Sequence, residues 1–185
     1  MKISDIFKKF SLMEIFYLEF EQYVYFLVKY FPGAVGFLLR FLIVKIFSKE
    51  LHGMVWIQPG VELIHLKNIV FGKGVGINTG TYINGVGGIL FEDNVLIGSN
   101  VTISSGKHPT YLSERDIIEL PSERLPIKIR KGVWIAAGVV VNPGVEIGKG
   151  TVVGANSVVT RSLSEEGIYV GSPARLMKKR VVRNG

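Results

Sequence analysis

The sequence predicts an all-β fold, a parallel β-helix of stacked coils preceded by an α-helical segment. From residue 127 six hexads follow one another without a break, with Ile or Val at the third position of each: IKIRKG, VWIAAG, VVVNPG, VEIGKG, TVVGAN and SVVTRS. Near residue 50 the composition changes from aromatic-rich and glycine-poor to glycine-punctuated. A six-residue unit cannot bury its own apolar side chains, so a fixed period of this length indicates coils that stack on one another.

The N-terminal segment is predicted to be helical. Residues 12–31 hold apolar side chains in nearly every turn, which predicts a helix. Pro32-Gly33 interrupts it, and residues 34–47 form a second apolar segment that two basic residues break. This segment is shorter than the roughly 20 apolar residues of a spanning helix, and the chain start lacks the features of a signal peptide. We therefore expect neither a transmembrane helix nor export.

Two interpretations of the helical segment stay open. It can cap the open end of the solenoid, because exposed ends of repeat proteins need covering. It can also attach peripherally to a membrane, with Lys and Arg at the headgroups and apolar side chains at the interface. The two can hold together. We divide the chain into the helical segment 1–50, a β-helix domain 51–165 with an extended loop 107–126, and a basic tail 166–185.

The hexad pattern also covers the first half of the solenoid. It is present in residues 55–66, 69–86 and 89–106, and only the pairs 67–68 and 87–88 and the loop 107–126 break the period. We expect each hexad to form one face of a triangular prism, with the third position inward and Gly or Asn at the corner, where left-handed backbone is tolerated. The alternative, an antiparallel sandwich, requires hairpin turns and strands of variable length.

Composition and charge limit the classes of function. Without cysteine the chain has no disulfide framework, thiolate catalysis or Cys-ligated metal, and it fits a reducing compartment, so we expect the cytoplasm. The net charge of +7 indicates an anionic partner: nucleic acid, a membrane surface or a phosphate-rich cofactor. We do not expect nucleic acid, because no binding motif is recognisable. The basic residues cluster at both ends, at Lys2, Lys8 and Lys9 and at Arg175, Lys178, Lys179, Arg180 and Arg183, and a solvated tail is the alternative interpretation.

Four motifs carry a resemblance to a known family: the Trp134-Ile135 hexad, Val141-Asn142-Pro143-Gly144-Val145, Ser157-Val158-Val159-Thr160 and the ending Val170-Gly171-Ser172-Pro173-Ala174-Arg175. Over residues 53–180 the chain resembles the hexapeptide-repeat acyltransferases, most closely the sugar O-acetyltransferases. The resemblance implies a left-handed parallel β-helix, acetyl-CoA as co-substrate without a metal, and a homotrimer with active sites between neighbouring prisms.

His108 is the candidate general base. Acetyl transfer to a hydroxyl needs a group that takes the hydroxyl proton, and imidazole suits that task at neutral pH. His108 lies where the hexads stop and the long loop begins, and the resemblance implies that it is the catalytic base. The family has Gly-His-Pro at this point, whereas here Lys107 stands between Gly106 and His108. We expect His52 and His65 to be structural or surface residues, and three histidines at this spacing do not make a zinc site.

Two asparagines are candidates for contacting the acceptor or the oxyanion. In the resembling family an asparagine has this role, and we assign it to Asn78, whose amide can donate to a tetrahedral intermediate. The alternative for Asn78 is a corner residue in left-handed conformation. Asn84 is the second candidate, for substrate binding, with a turn residue as its alternative.

The resemblance also implies a coenzyme A surface between two subunits. The small-residue faces near Trp134, Ala137 and Ala155 would hold the pantetheine arm. The nucleotide end would lie near Thr160, Arg161 and Arg175, with Lys178 as an outer cation suited to phosphates, although each of these can equally be a solvated residue. The loop carboxylates Glu114, Asp116, Glu119 and Glu123 could orient the base or the acceptor, and the sequence favours none of them.

These observations predict an O-acetyltransferase that acts on a saccharide or lipid-linked saccharide in surface polysaccharide synthesis, at the inner face of a membrane. The alternatives are an amino-sugar, serine or antibiotic acceptor, or a solenoid that serves as a scaffold without catalysis.

Overall fold

The structure is a computed structural model that describes residues 11–181. The first ten residues of the helical segment, with Lys2, Lys8 and Lys9, and the last four of the tail, with Arg183, lie outside the described residues. Two helices precede the solenoid, α1 (Leu12–Lys29) and α2 (Gly33–Phe47), which confirms the predicted helical segment and shows that its second apolar part is also a helix. A capping box starts α1: the Glu14 amide donates to Ser11 Oγ at 3.2 Å, and the Ser11 amide donates to Glu14 Oε2 at 3.0 Å.

The solenoid is made of short parallel strands arranged in five coils. The first two coils hold β1 (Glu50–Leu51), β2 (Val55–Ile57), β3 (Glu62–Ile64), β4 (Ile69–Phe71), β5 (Val75–Ile77) and β6 (Tyr82–Asn84). The third holds β7 (Ile89–Phe91), β8 (Leu96–Ile97) and β9 (Thr102–Ser104), followed by β10 (Gly106–Lys107) and β11 (Glu123–Arg124) of the long loop. The last two hold β12 (Ile127–Ile129), β13 (Trp134–Ile135), β14 (Val140–Val141), β15 (Glu146–Ile147), β16 (Val152–Val153) and β17 (Val158–Val159). A hairpin of β18 (Gly167–Val170) and β19 (Arg175–Lys179) closes the chain.

The strands stack into three parallel sheets, one for each face of a left-handed prism. The first face is β1-β4-β7-β12-β15, the second is β2-β5-β8-β13-β16-β18 and the third is β3-β6-β9-β14-β17. The predicted alternation is present: Val55 and Ile57 are buried, whereas Trp56 between them points outward. Phe71 and Phe91 stack inside with ring centroids 5.4 Å apart. The predicted fold class is therefore confirmed.

The two helices cover the open end of the first coil. Tyr25, Val44 and Phe47 join the solenoid core, and the Tyr25 hydroxyl donates to the Val61 carbonyl at 3.2 Å. Arg40 of α2 is 1% exposed and donates to the Ile57 carbonyl at 2.9 Å and to the Val28 carbonyl of α1 at 3.2 Å, which ties both helices to β2. These contacts are those of a cap. Between residues 11 and 181 no helix is long and apolar enough to cross a membrane.

The irregular parts of the repeat gather at one corner of the prism. The segments 65–68, 85–88 and 105–126 each join a strand of the third face to a strand of the first. The first contains a 3-10 turn, Leu66–Asn68, and the last is the long loop. Everything that departs from the six-residue period therefore lies on the same edge of the molecule as residue 108.

Candidate active site

His108 lies at the base of the long loop, which a short antiparallel ladder holds in place. Gly106 and Lys107 pair with Arg124 and Glu123, and Lys107 Nζ lies 3.1 Å from Glu123 Oε2. The ladder directs the chain away from the prism, so the His108 side chain is exposed. The residues that line the resulting cavity of about 240 Å³ are Asn84, Val86, Ser104, Gly106, Lys107, His108, Ser122, Glu123 and Arg124.

Asn84 lies on the coil below and shares this cavity. It ends β6 and is the register partner of Ser104 on β9. Its Oδ1 accepts from the Val86 amide at 3.1 Å, and His65 Nδ1 lies 3.0 Å from the same oxygen. Because a backbone N–H can only donate, this atom is the amide oxygen and His65 Nδ1 carries a proton. Asn84 Nδ2 donates to the Tyr82 hydroxyl at 3.3 Å, and its second hydrogen takes part in no other hydrogen bond within residues 11–181.

Asn78 is not brought to His108 within the chain. It follows β5 on the second face, and its Nδ2 donates to the Ile97 carbonyl at 2.8 Å. The coil turns a corner between residue 78 and β6, and it is β6 that lies under the strand leading to His108. The assignment of the oxyanion contact to Asn78 therefore stays a prediction that would need a neighbouring chain. Asn84, the second candidate, is the asparagine that lines the His108 cavity within one chain.

The other two histidines have structural surroundings, as expected. His65 adopts left-handed backbone with φ of 61° and is half-buried. Burial lowers its pKa, which keeps the ring neutral while it donates to Asn84. His52 is exposed, with Nε2 3.2 Å from Glu50 Oε2. Within the described part of the chain, no group of three or more His, Asp or Glu side chains could hold a metal ion.

One of the four loop carboxylates reaches the cavity. Glu123 lines it and pairs with Lys107, whereas Glu114, Asp116 and Glu119 are exposed farther along the loop. Sequence reasoning did not single out Ser104, Ser122 or Arg124, which also line the cavity. Ser104 could have been found from the stacking of coils. It lies one coil, or 20 residues, after Asn84 and is the register partner of that residue.

The residues expected at coenzyme A lie on the last two coils and the closing hairpin. Trp134 is on the outer surface of β13, and Ala137 and Ala155 follow β13 and β16 at equivalent corners. Thr160 and Arg161 follow β17, and Arg175 and Lys178 belong to β19. All seven are exposed. The Ala174 amide donates to the Val158 carbonyl at 2.8 Å, so Arg175 leaves the hairpin next to the end of the third face.

Comparison with known proteins agrees with this architecture. Residues 126–161 match the family described as "Bacterial transferase hexapeptide (six repeats)". Galactoside O-acetyltransferase of Escherichia coli strain K12 is 36% identical over 124 residues, 67% of this chain and 60% of that protein, so the chain spans less than two thirds of the length of this relative.

Two solved structures extend the comparison. A hexapeptide-repeat containing acetyltransferase of Vibrio cholerae O1 biovar eltor, complexed with acetyl coenzyme A, has a TM-score of 0.83 at 25% identity, over 93% of this chain and 91% of that chain. A galactoside acetyltransferase in complex with coenzyme A has a TM-score of 0.80 at 27% identity, over 88% of this chain and 80% of that chain.

The stacked coils, the interrupted third face and the histidine at the loop define a left-handed β-helix of the hexapeptide-repeat class. The chain belongs to the hexapeptide-repeat acyltransferase family.

Proposed function

We propose that the protein is an O-acetyltransferase that moves an acetyl group from acetyl-CoA to a saccharide hydroxyl, with His108 as the general base. The observation that carries the proposal is the cavity in which His108 and the Asn84 amide meet at the base of the long loop. The relatives that bind coenzyme A, or that are named for acetylation of galactosides, support the choice of donor and acceptor.

The chemistry is direct transfer between the two substrates. His108 removes the proton of the acceptor hydroxyl while its oxygen attacks the acetyl carbonyl, and a tetrahedral oxyanion forms. The free hydrogen of Asn84 Nδ2 is a donor for that oxyanion or for a neighbouring acceptor hydroxyl. The carbon–sulfur bond then breaks, the ester forms, and His108 returns the proton to the coenzyme A sulfur. No step requires a nucleophilic cysteine, and the sequence has none.

The coenzyme A surface and the trimer are part of the same proposal. The outer column of the second face holds Trp56, Leu96 and Trp134 in register, and these side chains are 53%, 54% and 51% exposed. A column of large apolar side chains is suited to burial against a neighbouring prism. A homotrimer would bring Trp134 and the exposed residues of the last coils to a neighbouring chain, with the pantetheine arm between them.

We further propose that the reaction takes place at the cytoplasmic face of a membrane, in the synthesis of a surface polysaccharide. The support is the outward side of α1, where Phe16, Phe20, Tyr23, Leu27 and Tyr30 recur at helical spacing and are exposed. Such a stripe is suited to the interfacial region of a bilayer.

The test of the catalytic proposal measures thiol release from acetyl-CoA across a panel of sugars and nucleotide sugars. We expect acceptor-dependent release that falls about a hundredfold or more in His108→Ala, because a general base contributes about that much. His52→Ala is the matched control, since it removes an exposed histidine that does not line the His108 cavity. Equal activity in the two variants would contradict the assignment of the base. If none of the acceptors in the panel supports thiol release, acetyl transfer to a saccharide is rejected.

A further inference from the structure

A second cavity adjoins the one that contains His108. Its volume is about 400 Å³, and the lining residues are Lys49, Lys67, Asn68, Val86, Gly87, Gly88 and Arg124. Val86 and Arg124 line both cavities, so a molecule that occupies one can extend into the other. We refer to this second space as the corner cavity, because it lies at the irregular corner of the prism.

The corner cavity is cationic and has no acidic residue in its lining. Lys49, Lys67 and Arg124 are its charged residues. In residues 11–181 none of the three forms a salt bridge, whereas Glu123 beside them is paired with Lys107. Two acids interact with the charges of this cluster: the pKa of Glu14 is lowered first by hydrogen bonds with Ser11 and then by Lys67 and Arg124, and Lys67 also acts to lower the pKa of Glu21, which burial raises overall. Since Ser11 holds the Glu14 carboxylate in the capping box, the three cations remain available to a ligand.

The fold assembles this cavity from the parts of the sequence that break the repeat. Lys67 and Asn68 are the extra pair after the first coil, Gly87 and Gly88 are the extra pair after the second, and Arg124 closes the long loop. Six-residue periodicity gives no reason for these insertions. They fall between the same two faces on successive coils, and together they make a recess that an uninterrupted prism would not have.

Contacts with the scaffold hold the Lys67 side chain, the Lys49 backbone and the floor. Lys67 Nζ lies 5.2 Å from the centroid of the Tyr17 ring, and Asn68 Nδ2 donates to the Val86 carbonyl at 3.4 Å. The Lys49 amide donates to the Ile69 carbonyl at 3.0 Å. At Gly87 an added Cβ would collide with the Ser105 carbonyl and lie 3.0 Å from the Arg124 carbonyl carbon, so the floor is bare backbone.

We propose that the corner cavity binds a phosphate or diphosphate group of the acceptor, so that the acceptor is a phosphate-linked saccharide whose free hydroxyl lies at His108. This inference rests on the proposed acetyl transfer and names its substrate class. Guanidinium and ammonium groups are the usual partners of phosphate oxygens, and Arg124 contributes to both cavities. The phosphate serves as a binding group, and none of its bonds changes in the reaction.

The first experiment measures binding of inorganic pyrophosphate to the full chain by titration calorimetry, independently of catalysis. We expect Lys49→Met with Lys67→Met to weaken binding about tenfold or more, because charge-assisted hydrogen bonds are lost while the side-chain stems remain. Lys73→Met with Lys149→Met removes two exposed lysines elsewhere and should bind as the wild type does. Lys49→Arg with Lys67→Arg should restore binding if charge is what matters. Equal binding by the two Met variants overturns the proposal, and so does the absence of binding to the wild type.

A second titration separates the acceptor from the donor, because coenzyme A also carries phosphates. With coenzyme A saturating, pyrophosphate should still bind with unchanged affinity. Competition between them would reassign the corner cavity to coenzyme A and reject the acceptor proposal.

The third experiment compares acceptors in the thiol-release assay: glucose, uridine diphosphate glucose and farnesyl diphosphate-linked glucose. We expect kcat/KM to be higher for a phosphate-linked sugar than for glucose, and the preference to fall about tenfold in the Lys49/Lys67 Met variant. Preference for the nucleotide or for the lipid form identifies the source of the phosphate. Equal use of glucose and both derivatives rejects the corner-cavity proposal while acetyl transfer stands. Pyrophosphate binding that depends on Lys49 and Lys67, without turnover of any acceptor, rejects acetyl transfer while the anion site stands.

Discussion

The neighbours of Asn84 fix the orientation of its side-chain amide. The Val86 amide and His65 both donate to Oδ1, so the side chain cannot rotate to exchange its oxygen and nitrogen without losing two hydrogen bonds. Its Nδ2 is thereby turned toward the Tyr82 hydroxyl, and Asn84 lines the cavity of His108. A donor that is held before the reaction begins costs no reorganisation when the oxyanion forms, which is the condition for electrostatic stabilisation of a transition state.

This geometry makes a prediction that separates the two asparagines. Asn84→Ala should lower kcat by about 10²- to 10³-fold, the range found when one oxyanion donor is removed. Asn78→Ala, which removes a hydrogen bond to the Ile97 carbonyl on another face, should leave kcat within a fewfold of the wild type. Steady-state kinetics on both variants decide the matter. A larger loss in Asn78→Ala than in Asn84→Ala would return the role to the residue that the sequence first suggested.

Glu21 gives a second prediction at this scale, because it is a carboxyl buried between α1 and the first coil. Its Oε1 accepts from the Leu66 amide at 3.0 Å, and its Oε2 is buried without a partner. Burial raises its pKa above the ordinary 4.5. The folded chain then holds the proton more tightly than the unfolded chain, so this contribution to stability is complete below pH 4.5 and is lost as the pH rises through the folded pKa.

Glu21→Gln should therefore become more stable than the wild type as the pH rises from about 4 to 7. We expect an advantage of at least about 2–4 °C in Tm at pH 7, the shift that about 1 kcal/mol causes in a chain of this size. Thermal unfolding followed by circular dichroism across this pH range measures it. Glu19→Gln makes the same change on the exposed side of α1 and should show no such trend. Parallel curves for Glu21→Gln and the wild type would contradict the assignment.

At the scale of elements, the helices have two apolar sides and the chain covers only one of them. On α1 the inward side holds Tyr25 and Val24 against the solenoid, and the outward side carries the stripe from Phe16 to Tyr30. The cap interpretation accounts for the inward side alone. The outward stripe is the observation behind the membrane proposal, and Lys45 is exposed near the end of α2, where it can meet anionic headgroups.

The prediction for this stripe concerns binding to lipid vesicles. The protein should sediment with vesicles of anionic phospholipid, and Phe16→Ser with Leu27→Ser should weaken binding about tenfold or more, because each buried apolar side chain contributes about 1.5–3 kcal/mol. Tyr111→Ser with Leu112→Ser removes two exposed apolar side chains from the long loop and serves as the control. Unchanged sedimentation of the helix variant would exclude the stripe as a membrane contact.

The strands also show how much of the fold the sequence alone could predict. The hexads from residue 127 predicted every strand of the last two coils, because Val140 and Val158 pair 18 residues apart, a whole number of hexads. The earlier coils are longer by the pairs at 67–68 and 87–88, so Asn84 and Ser104 pair 20 residues apart. The breaks in the hexad pattern located the extra residues in the sequence, but not the space that they enclose. Within one chain, the corner at which they lie places Asn84 in the cavity of His108, and it also creates the corner cavity, which no local pattern indicates.

The whole molecule presents one column of the prism that a single chain leaves uncovered. Trp56, Leu96 and Trp134 lie in register on the second face, with Gly76 between the first two. In the proposed trimer this column is buried, and the active site is complete only when the neighbouring chain is present. The oligomeric state and the activity are therefore coupled, and a charge placed in the column should disturb both.

Leu96→Glu tests this coupling. We expect light scattering after size exclusion to change from three times the mass of one chain to a single chain, because a carboxylate buried in an apolar contact costs several kcal/mol. Acetyl transfer should fall with the loss of the trimer, while the far-ultraviolet circular dichroism of the β-helix is retained. Ile46→Glu places the same charge on the exposed side of α2 and should remain trimeric and active. If Ile46→Glu is monomeric and Leu96→Glu is trimeric, the subunit contact lies on the helices and not on the second face. The stripe on α1 would then be part of the subunit contact and not of a membrane contact.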